Sequence, residues 1–245
     1  MSGHNKWSTI KRKKGALDSK RSKTFSKIIK DITVAVKEGG NDPEANARLR
    51  LAIANAKGVN MPKETLQRAI NKASDKNTAA LVEMTFECYA QHAVAIFIEC
   101  LTDNNNRTVS TVRSIINKFG GSMGTNGSLN FIFSRKGVFE IAVGDRDVEE
   151  LEIALIDAGA EEIEQEEGYL TAYCQMEDFA KMQKELETAG IEAENAELQR
   201  IPNTTISVEL PEAKKIMRII NLLEDDDDVQ AVYHNMEMSE ELLEE

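Results

Sequence analysis

Cysteine is scarce in this chain, and what is missing around it narrows the possibilities first. Cys88, Cys100 and Cys174 are scattered and form no C-x-x-C pair, which excludes a disulfide framework and the usual zinc spacings. Long apolar runs are absent too. The longest, residues 93–98, falls far short of the roughly 18 residues that a membrane-spanning helix requires. Lys6 and the cations of 11–14 are followed by no apolar segment of the kind a secretory signal carries. The three histidines, His4, His92 and His234, lie far apart without metal-ligand spacing. No Gly-x-Ser-x-Gly, Walker A or His-Glu-x-x-His motif occurs. The expectation is a soluble, cytoplasmic protein that is not an enzyme and has no metal, cofactor or membrane partner.

What is present is a sharp division of charge. The chain as a whole carries a net charge of −12. Residues 1–76 hold 18 Lys and Arg against 7 Asp and Glu, a net of +11, so residues 77–245 carry −23. Residues 1–30 are sharper still, with ten cations and the single acid Asp18. A basic head on an acidic body calls for a polyanion as the partner of the head.

Residues 1–20 are polar and Lys- and Ser-rich, with too little apolar surface to offset ordering entropy, and read as an arm that orders on binding. From Thr24, Phe25, Ile28, Ile29 and Ile32 recur at helical spacing until Gly39-Gly40. Asp42-Pro43 reads as the N-cap and first turn of a second helix ending at Gly58, and Pro62 opens a third. Together they predict a small helical bundle over 21–76. The period then switches. Strands are predicted at 81–89 and 93–101, a helix at 107–119 and a strand at 129–134, where Leu129, Phe131 and Phe133 alternate. Residues 136–200 read as a complete βαββαβ unit of the ferredoxin-like kind. The flanks continue with a strand at 204–208, a helix at 211–224 and a strand at 229–234. The predicted fold class is therefore α+β and multidomain. A basic arm and helical domain (1–76) precede two ferredoxin-like domains, one (135–201) inserted in the other (77–134 with 202–245).

The candidate binding residues are Lys6, Trp7, Lys11, Arg12, Lys13, Lys14, Lys20, Arg21, Lys23 and Lys27. Lysine and arginine neutralise phosphates and release counterions, and an indole stacks on an unpaired base. Trp7 could equally anchor on the bundle, and the sequence leaves both readings open. The glycine-rich segment 120–127 runs helix to strand, the reverse of a phosphate loop, and reads as a flexible connection. Residues 103–108 read as a turn with a helix cap from Asn106 or Asp103, and Asp225 to Asp228 as a solvated turn.

Several blocks resemble the YebC/PmpR family: Met1 to Trp7, Lys23 to Lys27, Glu38 to Pro43, Asn46 to Arg50, Asn60 to Lys63, Leu101 to Asn104, Asn106 to Thr108, and Leu223 to Asp225 with Asp228 to Gln230 and Val232 to Asn235. The resemblance spans nearly the whole chain. It implies a helical N-terminal domain and two α+β domains, one inserted in the other. It also implies a transcriptional regulator that binds DNA. Some relatives are also linked to translation, acting at the ribosome to help difficult nascent sequences, and ribosomal RNA is then the alternative partner for the basic head. The opening block begins at Met1, which implies a bacterial cytosolic member, and a monomer is the expected state. Where the family has a Gly-Tyr-Gly-Pro-Gly-Gly-like turn, this chain has Cys88-Tyr89-Ala90-Gln91-His92-Ala93, with less backbone freedom.

Overall fold

The computed structural model describes residues 18–75, 77–166, 168–239 and 242, with side chains from Arg21 onward. It is a mixed α/β protein with two four-stranded sheets. The chain folds as two compact units. One takes the described residues within 1–30, 77–134 and 201–245, and the other those within 31–76 and 135–200.

The first helix, α1 (Asp18–Gly39), follows from the predicted spacing: Ile28, Ile32, Ala35 and Val36 are buried. It stops at Gly39, and Gly40 takes the left-handed conformation (φ +83°) that glycine adopts without strain. The next helix, α2 (Ala47–Gly58), is capped by Asn46 rather than by Asp42. Asn46 Oδ1 accepts from the Leu49 amide at 3.0 Å, while its Nδ2 donates to the carbonyls of Ala35 (2.7 Å) and Gly40 (2.8 Å). One buried asparagine thus closes the end of α1 and the start of α2, which explains why the Asp42-Pro43 signal marks only a turn. Helix α3 (Lys63–Ser74) starts behind Pro62 as expected.

In the unit holding residues 77–134, β1 (Val82–Tyr89) and β2 (Ala95–Thr102) form an antiparallel hairpin, with Val82 opposite Thr102 and Tyr89 opposite Ala95. The sheet order is β3 (Ser122–Met123), β1, β2, β8 (Val229–His234). Two helices, α4 (Asn105–Lys118) and α7 (Leu210–Glu224), cover one face. Val112, Ile116, Ile216, Ile220 and Leu223 pack there with Phe86, Ile96 and Ile98. On the other face Leu129 and Phe133 join Ala95, Phe97 and Tyr233. Burial on both faces is why β2 is written as a nearly unbroken apolar run.

Two predicted strands are corrected. Residues 129–134 do not continue as an alternating strand: Leu129 is fully buried, yet Phe131 is 76% exposed. The cause is Glu87, a buried carboxylate that needs donors and takes them from this segment. It accepts from the amides of Gly127 and Leu129, both at 2.6 Å, and from Ser128 Oγ at 3.1 Å. The connection expected to be flexible is therefore held at three points, and its strand pairing falls on Ser122 and Met123 instead. Likewise the strand expected at 204–208 is reduced to a single bridge between Ile206 and Met236.

The β1–β2 turn carries His92 and Ala93 at φ +60° and +59°. The Ala90 amide still closes the turn by donating to the Val94 carbonyl at 2.8 Å. Left-handed backbone costs an L-residue about 1–2 kcal/mol. The glycines that the family resemblance implies here would carry that geometry without the penalty.

The other unit contains β4 (Phe133–Ala142), α5 (Val148–Ala158), β5 (Glu162–Glu166), β6 (Tyr169–Gln175), α6 (Phe179–Thr188) and β7 (Asn195–Pro202), in sheet order β5-β6-β4-β7. Phe139, Ile141, Leu151, Leu155, Leu170 and Met182 form its core. Helix α2 packs onto this unit through Asn55, whose Nδ2 donates to the Ala196 carbonyl (2.9 Å) and whose Oδ1 accepts from the Ala196 amide (3.0 Å). A Cβ at Gly58 would collide with the Glu194 carbonyl oxygen, so glycine is what permits this approach.

Candidate nucleic-acid interface

Of the ten candidate cations and aromatics, Lys6, Trp7, Lys11, Arg12, Lys13 and Lys14 lie outside the described residues, as does the side chain of Lys20. Arg21, Lys23 and Lys27 are placed on α1, and the structure adds Lys30 to them. Arg21 lies over the Phe25 ring, with its guanidinium carbon 5.5 Å from the centroid. Lys23, Lys27 and Lys30 follow the i, i+4, i+7 spacing of one helical face.

That face is not turned to an empty surface. Lys23 Nζ is 2.6 Å from Asp225 Oδ1. Lys27 Nζ donates to the Gln230 carbonyl at 3.1 Å, and Gln230 Nε2 donates back to the Lys27 carbonyl at 3.2 Å. Lys30 Nζ has three acceptors: the carbonyls of Asp227 (2.6 Å) and Leu101 (2.8 Å), and Asp228 Oδ1 (3.3 Å). The row of lysines is thus bound by the turn at 225–228 and the adjoining strand ends.

Asp228 corrects the expectation of a solvated turn, since it is only 5% exposed. Its carboxylate accepts from Arg107 Nε (3.0 Å), Arg107 Nη2 (2.8 Å) and Thr108 Oγ1 (2.9 Å) as well as from Lys30. Burial raises its pKa, but the donors from Arg107, Thr108 and Lys30 outweigh that and hold the carboxyl below its ordinary range. Arg107, which also reaches Asp103 at 2.9 Å, is in turn held more firmly protonated, first by its hydrogen bond to Asp228 and then by that to Asp103. The segment 103–108 is therefore a structural joint, and its helix cap is Asn104, whose Oδ1 accepts from the Arg107 amide at 3.1 Å.

Helix α4 offers a different surface. Asn106, Val109, Ser110, Arg113, Ser114 and Asn117 line a shallow, open concavity along it. Apart from half-buried Val109 these residues are exposed, and their polar side chains make no hydrogen bond or ion pair with another described residue. The signal for this face was available in the sequence. From Asn104 to Phe139 there is not one Asp or Glu, although the acidic body averages about one in every five residues. Five of the body's twelve cations fall in that stretch. The net charge of the body conceals it.

Burial is the main cause pushing the thiols of Cys88 and Cys100 up to about 12 and that of Cys174 to about 11, so all three stay protonated at neutral pH. No three His, Cys, Asp or Glu side chains among the described residues are grouped to hold a metal ion. No helix among them is long and apolar enough to cross a membrane.

Known proteins similar to this chain match nearly all of its length. The model for the TACO1/YebC protein N-terminal domain matches residues 5–76, and that for the TACO1/YebC second and third domain matches residues 81–236. A "probable transcriptional regulatory protein" of Amoebophilus asiaticus is 52% identical over 239 residues, covering 96% of this chain and 98% of its own. One of Chlorobaculum tepidum is 45% identical, covering 99% and 98%. The crystal structure of a conserved hypothetical protein from Aquifex aeolicus matches with a TM-score of 0.82 at 38% identity, covering 92% of this chain and 94% of that one.

Proposed function

The chain belongs to the TACO1/YebC family, and on that premise we propose that it is a non-enzymatic regulator of gene expression that binds nucleic acid through its basic N-terminal region. DNA is the target that the family resemblance implies. The observation that carries this reading is the partition of charge, +11 in residues 1–76 against −23 in the remainder. Counterion release makes such a head bind polyanions, and the net charge of the body weakens their contact with most of the remaining surface. With Lys23, Lys27 and Lys30 engaged on α1, the contacts to phosphate fall chiefly to Lys6, Lys11, Arg12, Lys13, Lys14 and Lys20, with Trp7 stacking on bases. On the same premise the protein works in the cytoplasm as a monomer, and residues 135–201 are a ferredoxin-like insertion. The strand order β5-β6-β4-β7 supports that last reading.

A second reading is an RNA-directed translation factor at the ribosome. The strongly acidic body favours it, because a naked duplex repels such a surface while a ribosome offers basic proteins beside its RNA.

The test is a full-length variant with Lys11, Arg12, Lys13 and Lys14 all changed to Gln. Its affinity for a labelled DNA hairpin and for the RNA hairpin of the same sequence should fall. The slope of log affinity against log salt should shrink by about 0.7–0.9 for each phosphate that the variant no longer neutralises. An unchanged slope on both probes overturns the reading.

A further inference from the structure

We infer that the outward face of α4, built from Asn106, Ser110, Arg113, Ser114 and Asn117, is a second contact surface for RNA, reading the ribose hydroxyls and one phosphate. The inference rests on the nucleic-acid reading above and commits it to RNA at this face.

Three observations converge on it. First, charge: α4 has no acidic residue, whereas α5, α6 and α7 each carry at least two. A solvated helix face in an acidic body has no reason to exclude carboxylates, but a face that meets phosphate does. Second, availability: the two arginines of α4 have different situations. Arg107 is committed to Asp228 and Asp103, while exposed Arg113 has no hydrogen bond or ion pair among the described residues. Third, chemistry and shape: Asn106, Ser110, Arg113 and Asn117 follow the i, i+4, i+7, i+11 spacing, and with Ser114 they line one concavity. The two amides and two hydroxyls can each donate and accept.

This composition separates RNA from DNA. A DNA backbone presents acceptors only, so the accepting oxygens of these amides and hydroxyls would find no donor along it. RNA adds a hydroxyl to every sugar, both donor and acceptor, displayed in a wide and shallow minor groove. Such a groove suits a helix face rich in asparagine and serine. At the start of the same helix the Asn104 amide and Thr108 Oγ1 donate to Thr102 Oγ1 at the end of β2, and Arg107 and Thr108 donate to Asp228, the residue before β8.

The experiment uses the full-length protein, the labelled RNA hairpin and its DNA counterpart. Arg113→Glu and the double change Asn106→Asp with Asn117→Asp should each leave the melting temperature unchanged, since these side chains have no folded partners. Each should weaken RNA binding about tenfold, as the removal of a charge-assisted hydrogen bond and the gain of a repulsion would. Binding to DNA should change much less. Arg113→Lys should restore most of the RNA affinity. Unchanged RNA binding in both variants, with the four-Gln variant still impaired, overturns this face and leaves the N-terminal reading intact. Equal losses on RNA and DNA overturn the hydroxyl readout, because only charge would then be at work. If the unaltered protein binds neither hairpin, the N-terminal reading and this inference fall together.

Discussion

Helices α1 and α4 are both cationic, yet they use their charge in opposite ways. The described part of α1 that begins at Arg21 is dense in cations, and Lys23, Lys27 and Lys30 are all bound to acceptors within the protein. Helix α4 has three cations in fourteen residues, and one of them, Arg113, together with the exposed amides and hydroxyls beside it, is left to solvent. The two helices meet at one carboxylate: Asp228 takes Lys30 from α1 and both Arg107 and Thr108 from α4. The density of charge along a sequence therefore says where a polyanion would be attracted, but not which side chains remain to hold it.

The largest expected effect breaks this shared anchor. Asp228→Ala leaves Lys30, Arg107 and Thr108 without their common acceptor. The cost should be on the order of 3 kcal/mol in chemical denaturation, the low end for opening a buried charge pair, because Arg107 is half exposed and can be rehydrated. The pH dependence has a definite sign. The folded Asp228 carboxyl titrates below its unfolded value, so its stabilisation is complete above a pH of about 4 and is lost as pH falls through the folded value. The stability gap between the native protein and Asp228→Asn should accordingly narrow in acid. A gap independent of pH would mean that the carboxylate's charge is not what holds the joint.

Removing the α1 side of the anchor should cost less. Lys30→Met deletes three hydrogen bonds but leaves acceptors that water can partly reach, for a loss of about 1–3 kcal/mol. Native-state hydrogen exchange should then quicken in the first turns of α1 while α4 stays protected. Exchange rising equally in both helices would show that the two do not use the anchor separately.

The smallest effect distinguishes a bound lysine from a structural one. Lys23 and Asp225 are well exposed, so Lys23→Gln should change stability by less than about 1 kcal/mol despite the 2.6 Å separation. A loss as large as that of Lys30→Met would make the whole lysine row structural.

Much of the helical architecture was legible because it depends on local periodicity. Ile28 and Ile32 on α1, Val112 and Ile116 on α4, and Ile216 and Ile220 on α7 are buried as their spacing implies. The β1–β2 hairpin was legible for the same reason. The misread elements share another cause. The strand expected at 129–134 gives way to Glu87, more than forty residues earlier, and the cap expected from Asp42 gives way to the three hydrogen bonds of Asn46. Buried polar groups must find partners wherever the fold brings them, and no period in the sequence marks that demand.

The sequence by itself determined the separation of a basic head from an acidic body, the carboxylate-free stretch from Asn104 to Phe139, and the turns of helix that bury the apolar stripes. Those depend only on composition and on neighbours a few residues away. The tertiary structure alone decided which cations are occupied. Lys23 is paired across 202 residues with Asp225, and Arg107 across 121 residues with Asp228, whereas Arg113, six positions further along the same helix as Arg107, makes no such pair among the described residues. Electrostatic attraction and hydrogen bonding act over ångströms in space, and only the folded chain sets those distances.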